Sequence, residues 1–304
     1  MAATSSSLSF PLKGPAGEPV DFRRAALSHG LTAVAPFAVA DEGQLLTTVV
    51  RLSDGKARTV ALRANSRASC TATVRGPALN KDHRDTLTPT LKRVLALDSD
   101  LAPFYAAIAD DPLLAWARDG AGRFVRSQTV FEDVIRTICT TNCSFSSTRR
   151  MIETSVAELG DTVEQIGTRA FPTPDRVAAA GPDFFREQAR AGYRSEYIVS
   201  IARAVAAGEV DLDALRPNGS VQVDDDEAHA RLLELPGVGP YAAAHAMMLM
   251  GRYSRPVLDS WSRPAFAEAT GETADDRSIR RRFARFGPYA GLAFWLVVTR
   301  SWIR

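Results

Sequence analysis

Two features of the 304-residue sequence combine residue types and spacing that could do chemistry: the run Leu235-Pro236-Gly237-Val238-Gly239-Pro240, and Asp259, twenty residues beyond Gly239. Glycine tolerates positive φ and allows another group to approach the backbone closely. Proline suits the first turn of a helix, where its missing N–H would have no partner. The run therefore predicts a tight hairpin between two helices, with amides aimed outward at a helix N-terminus, a natural seat for one phosphate. A plain helix-helix turn satisfies the same residues, and the pattern alone does not separate the two readings. Asp259, in Val-Leu-Asp-Ser-Trp-Ser, is a good N-cap for a following helix. Capping and catalysis are compatible: negative charge is favoured at a helix N-terminus, and an anion beside a sugar stabilises a developing oxocarbenium ion.

The elements that must position these groups are legible in outline. Segments 31–39, 44–52, 57–64 and 68–76 are rich in β-branched residues and joined by short polar turns, including Ser53-Asp54-Gly55. They predict an antiparallel sheet, with 83–97 supplying a helix across one face. Beyond residue 98 the periodicity is helical: a start at Asp100, one or two helices over 131–159, proline-marked starts in 171–185, and a further helix over 187–207. Asp224 to Asp226 predict the cap of a short helix ending near Glu234, and Tyr241 to Leu249 read as an apolar helix. The fold class is α+β: a strand-rich N-terminal domain, 1–97, followed by a larger all-helical region, 98–304, with the helix-hairpin-helix at about 226–251.

Composition bounds the function. The net charge of +2 identifies no polyanion partner, so a basic surface must come from local clustering. Arg277, Arg280, Arg281, Arg282 and Arg285 form such a cluster, with Arg281 and Arg285 spaced to share a helix face; phosphate contact and a solvated face are both open. No apolar run approaches the roughly 18 residues of a membrane span, and the first residues lack the pattern of a secretory signal. A cytoplasmic protein is expected. Cys139 and Cys143, four apart, would share a helix face; buried core residues are a simpler reading than a metal pair, since no histidine lies near them in sequence. Three cysteines cannot alone hold a four-cysteine site.

Leu-Pro-Gly-Val-Gly-Pro-Tyr followed by Val-Leu-Asp resembles the helix-hairpin-helix plus catalytic-aspartate signature of the base-excision DNA glycosylases. FEDVIRTICTTNCSFSSTRRMI is similar to the segment that opens their helical barrel, AGYRSEYIVSIARAVAAGEVDLDAL to the helix pair before the hairpin, and RVLALDSDLAPFY to the junction after the N-terminal domain. FGPYAGLAFWLVV resembles the C-terminal helix of the alkyladenine type. The resemblance spans roughly 90–300. It implies that Asp259 is the catalytic carboxylate and that the hairpin of Leu235, Gly237, Val238, Gly239 and Pro240 holds a DNA phosphate, with a monovalent cation on hairpin carbonyls. It puts Asn142 and Phe145 where the family carries the residue that fills the gap left by an extruded base. Tyr241, Trp261, Tyr193, Tyr197 and His245 become candidates for the base pocket, although each could equally be a core residue. Arg281 and Arg285 become candidates for DNA contact.

Two departures from the family pattern bear on chemistry. Members that also cut the strand carry a lysine at the position of Tyr241; without that amine a Schiff base has no nucleophile. No cysteine follows Cys143, so the iron–sulfur cluster of other branches is not expected, nor any other metal centre. The expectation is a monomeric, monofunctional DNA glycosylase that hydrolyses damaged, alkylated purines from double-stranded DNA after flipping them out of the stack. An oxoguanine-type glycosylase is the alternative within the class, because Gly192-Tyr193-Arg194 and Thr140-Thr141-Asn142 resemble that branch. A catalytically silent lesion-sensing module is the alternative outside it.

Overall fold

The computed structural model describes residues 4–66, 68–163 and 168–303; the two outer ends of the expected domains, 1–3 and 304, lie outside them. Strands β1 (Ser5–Pro11), β2 (Ala38–Ala40), β3 (Leu45–Arg51), β4 (Ala57–Ser66) and β5 (Ser69–Arg75) form one antiparallel sheet ordered β1-β5-β4-β3-β2. The register pairs Thr48 with Val60 and Val60 with Val74, so alternate apolar residues meet on one face. Helix α1 (Phe22–Ala26) precedes β2, and α2 (Lys81–Val94), capped by the Asn80 side chain on His83 N–H, follows β5. Leu87, Leu91 and Val94 of α2 share a core with Leu46, Val60 and Val74 of the sheet. This is the helix across one face that the spacing predicts.

The remaining chain is helical: α3 (Ala102–Ala107), α4 (Val130–Ile138), α5 (Phe145–Leu159), α6 (Pro174–Glu187), α7 (Arg194–Ala206), α8 (Asp225–Leu233), α9 (Pro240–Met250), α10 (Ser262–Thr270), α11 (Asp276–Phe283), α12 (Ala290–Val298) and α13 (Arg300–Ile303). Helix α9 is central. Its Ala242, Ala243 and Met247 face a core shared with α4 and α7, while Ala244 and Met248 face a second core with α10 and α12. A helix buried all round needs apolar residues all round, which accounts for the run from Tyr241 to Met250. No described helix is long and apolar enough to cross a membrane.

Two expectations about the N-terminal segment need correction. Residues 31–39 are not one strand: Gly30–Ala33 form a 3-10 turn and only Ala38–Ala40 pair with β3. The buried Arg136 of α4 donates to Leu31 O (2.6 Å) and Val34 O (3.1 Å), taking the carbonyls that a ladder would use. Leu31 and Val34 accordingly join the core of the helices rather than that of the sheet. The serine-rich β1, unpredicted, runs along β5, with Phe10 buried as its contribution to the sheet core and Leu12 joining it just beyond the strand.

Candidate active site

The hairpin is built as its residue types require. Asp224 caps α8 through Glu227 N–H (2.8 Å), and α8 ends with Glu234 as its C-cap. Leu235 and Val238 are buried and anchor the turn; Val238 N–H donates to Leu235 O at 3.1 Å. Both side chains thus serve the core, and the Val238 amide is already used. The amides of Gly237 and Gly239 have no acceptor among the described residues. They are the two that can meet a phosphate, beside an exposed Pro240 that opens α9. Gly237 is required: its φ is 78°, and a Cβ there would lie 2.3 Å from Cδ2 of Tyr197. Gly239 faces open space, its Cα free for close approach.

Arg252 and Arg255, at the far end of α9, brace the pair of helices. Arg252 donates to Leu215 O (2.7 Å), Val223 O (2.7 Å) and Asp225 (2.6 Å), and Arg255 to Asp226 (2.6 Å).

Asp259 stands at the entrance to α10. Its Oδ1 accepts from Trp261 N–H (2.9 Å) and Ser262 N–H (2.6 Å), while its own N–H donates to Ser262 Oγ (2.9 Å). This reciprocal cap holds the half-buried carboxylate by one oxygen. Its Oδ2 accepts no hydrogen bond among the described residues.

Around Asp259 the chain gathers aromatic rings. Trp261 lies 6.1 Å from the buried Trp295 of α12 and 4.6 Å from Trp302 of α13; Trp261 and Trp302 are both exposed. His245 stacks on the other side of the cluster, 6.3 Å from Trp295 at 26°, and 5.8 Å from Tyr241. Trp295 Nε1 donates to Ser28 O (3.0 Å), and Phe124 lies between Trp295 and His29, at 6.1 and 6.2 Å. Burial pushes the His245 imidazole down to about 4, opposed by the charge of Asp259, and the Tyr241 phenol up, opposed by its hydrogen bond with Thr140.

Of the residues singled out in the sequence, Tyr241, His245, Asp259 and Trp261 thus meet in one place. Tyr193 and Tyr197 do not join them there. They form an edge-to-face pair (6.0 Å), with Tyr197 beneath Gly237 and the exposed Tyr193 3.4 Å from Asn142 Nδ2. Tyr197 thus packs under the hairpin, and Tyr193 packs on Tyr197 beside Asn142. The loop Thr140-Thr141-Asn142 links the two groups: Thr140 meets the Tyr241 hydroxyl (3.2 Å), Thr141 meets Arg194, and Asn142 meets Tyr193. Asn142 has φ of 44° and is exposed, so it lies in a turn and not within a helix. Phe145, also exposed, rests against Gly30. Arg281 and Arg285 do not share a helix face, since α11 ends at Phe283 and Arg285 sits in the following 3-10 turn. Arg285 is ion-paired with Asp111, whereas Arg281 is exposed without an ion-pair partner among the described residues.

The sequence reading missed His29, Phe124, Trp295 and Trp302. Trp295 lies inside the Phe-Gly-Pro-Tyr segment already marked as similar to the family helix, and that signal could have found it. His29 and Phe124 sit far away in sequence with no local signature.

No protein-family model matches the chain. It is 27% identical over 174 residues to the DNA-3-methyladenine glycosylase of Bacillus subtilis, a match that covers 56% of each protein, so the chain spans little more than half of that relative. It is 26% identical over 243 residues to the probable N-glycosylase/DNA lyase of Methanothermobacter thermautotrophicus, covering 71% of this chain and 76% of the relative. The 3-methyladenine DNA-glycosylase from Archaeoglobus fulgidus superposes with a TM-score of 0.73 at 23% identity, covering 97% of this chain and 98% of that one. The chain's relatives and structural neighbours are therefore DNA glycosylases of the helix-hairpin-helix superfamily, in which 3-methyladenine glycosylases stand beside N-glycosylase/DNA lyases, and it has their fold.

Proposed function

We propose that this protein is a monofunctional DNA glycosylase that removes alkylated purines from double-stranded DNA. The observation that carries the reading is the placement of Asp259, held by one oxygen at the start of α10 with the other unengaged, beside the clustered rings of Trp261, Trp295 and His245. The extruded nucleotide brings its sugar to Asp259 and its base to the aromatic rings, at an unstacking cost of a few kcal/mol. As the bond between C1′ and the base nitrogen breaks, the base leaves with the electron pair. Positive charge develops on the sugar, which the carboxylate stabilises. Water then adds to C1′ and loses a proton. Electron-rich indole faces favour a positively charged, alkylated base. The Gly237 and Gly239 amides hold a neighbouring phosphate. The carbonyls of Pro236, Gly237 and Val238 accept no hydrogen bond among the described residues, which suits the monovalent cation that the family resemblance implies. Asn142, exposed in its turn, and Phe145, exposed at the start of α5, fill the vacated stack.

Tyr241 supports hydrolysis without strand cleavage, because a phenol offers no amine for a Schiff base. The similarity to an N-glycosylase/DNA lyase favours a second reading, an enzyme that also cuts the strand, and Gly192-Tyr193-Arg194 with Thr140-Thr141-Asn142 make its oxoguanine type the one to test. Duplexes carrying 3-methyladenine, 7-methylguanine, hypoxanthine or 8-oxoguanine distinguish them. Released alkylated base with an intact strand is expected. Strand nicking with borohydride trapping would refute the monofunctional assignment, and tight lesion binding without release would leave a silent binding module.

A further inference from the structure

Two buried imidazoles at the ends of one aromatic row each keep a ring nitrogen that bonds to nothing among the described residues. His29 and His245 are 5% and 6% exposed, and His29 Nδ1 and His245 Nε2 are sealed from solvent without a partner among the described residues. The rings are the ends of one aromatic row, His29–Phe124–Trp295–His245, with successive centroids 6.2, 6.1 and 6.3 Å apart. Trp261, adjacent to Asp259 in the cap of α10, packs on the same Trp295.

The hydrogen-bond network assigns the tautomers. His29 Nε2 lies 2.8 Å from Val125 O, which can only accept, so Nε2 carries the hydrogen and Nδ1 a lone pair. Thr140 Oγ1 donates to Thr137 O at 2.6 Å, which uses its proton. The Tyr241 hydroxyl, 3.2 Å from Thr140 Oγ1, must then donate to it. The Tyr241 oxygen is left to accept from His245 Nδ1 at 3.5 Å, and His245 Nε2 also presents a lone pair. Desolvation holds both rings uncharged, His29 at about 3 and His245 at about 4. The nearby Arg136 adds to the effect on both, and Asp259 opposes it on His245. Neither ring can supply the other with a proton. A buried acceptor without a donor is costly, and an apolar side chain would avoid that cost.

On the basis of the glycosylase reading above, we propose that His29 Nδ1 and His245 Nε2 are acceptors for the extruded base. The site then selects purines that present an exocyclic amino group, as alkylated adenine and guanine do, over hypoxanthine, which offers only its ring N1–H. The N-terminal segment acquires a role in recognition through this contact, because His29 comes from the chain between α1 and the 3-10 turn.

The test compares single-turnover release of 3-methyladenine and hypoxanthine by the wild-type protein, His29→Leu, His245→Leu and His245→Gln. Comparing each variant with wild type on the same base cancels the intrinsic lability of that base. Leucine at either position is expected to slow 3-methyladenine release by about 100-fold and hypoxanthine release far less, since sites built to hydrogen-bond lose most on the matching substrate. Glutamine, which retains an acceptor, is expected to restore most of the preference. A purely structural histidine predicts a lower Tm for His245→Leu, whereas removal of an orphaned acceptor predicts an unchanged or higher one. Equal slowing on both bases, or none, overturns the proposal while leaving the glycosylase reading intact. Release of no base by the wild-type protein overturns that reading first, and this one with it. Should a leucine variant fail to fold, the wild-type protein with 3-methylpurine in place of 3-methyladenine asks the same question once each rate is divided by the spontaneous release of that base, and equal ratios overturn the proposal.

Discussion

Replacing Asp259 with asparagine separates its structural and chemical roles. Asparagine retains an acceptor oxygen, so the bonds from Trp261 N–H and Ser262 N–H persist, and asparagine is as good an N-cap as aspartate. Stability should therefore change by less than about 0.5 kcal/mol. The charge is lost. A carboxylate about 4 Å from a developing positive charge contributes about 4 kcal/mol at an effective dielectric of about 20. That corresponds to roughly a 1,000-fold change in rate, since each factor of ten is about 1.4 kcal/mol. The assay is single-turnover release of 3-methyladenine from duplex DNA by wild-type and Asp259→Asn protein, with thermal unfolding of both. An intact Tm with base release within about tenfold of wild type would refute the assignment of Asp259 as the group that stabilises the sugar cation.

Two further predictions concern the hairpin and the buried histidines. Gly237→Ala places a Cβ against Tyr197 at a φ of 78°, and is expected to lower stability by about 1–3 kcal/mol in denaturant unfolding and to weaken DNA binding. Gly239→Ala meets open space at a φ of −91°, so it should leave unfolding unchanged and weaken only DNA binding; unchanged binding would exclude phosphate contact there. His29 and His245 have folded values depressed to about 3 and about 4 from an ordinary 6.5. Below 6.5 the unfolded chain binds protons that the folded chain does not, so the stability is fully present above that pH. It is lost as pH falls, by about 1.4 kcal/mol per pH unit for each histidine until its folded value is reached. Urea unfolding between pH 7 and pH 5 should show this slope, and a His29→Leu/His245→Leu double variant should flatten it; an equal slope in both would disprove the assignment.

Sequence patterning was informative wherever one local rule governed. The Asp224 cap, the ends of α8 and α9, and the helix across the sheet all follow from neighbours within one or two turns. Segment 31–39 escaped such rules. Its composition favours a strand, but Arg136, a hundred residues away, claims two of its carbonyls. The serine-rich β1 was illegible for a related reason, since its order comes from pairing with β5 along its whole length.

By itself, then, the sequence determined the hairpin and its two glycines, the aspartate twenty residues on, and the absence of an amine at Tyr241. These depend on backbone freedom, short spacing and residue chemistry, which travel with the chain. Tertiary structure alone decided which rings share the site. It turned Tyr197 under the hairpin, paired Arg285 with Asp111, and joined His29, Phe124, Trp295 and Trp302 into one aromatic cluster that Trp261 also enters. An aromatic row assembled from residues 29, 124, 245 and 295 has no periodicity to read, because packing of separate segments, and no local rule, makes it contiguous.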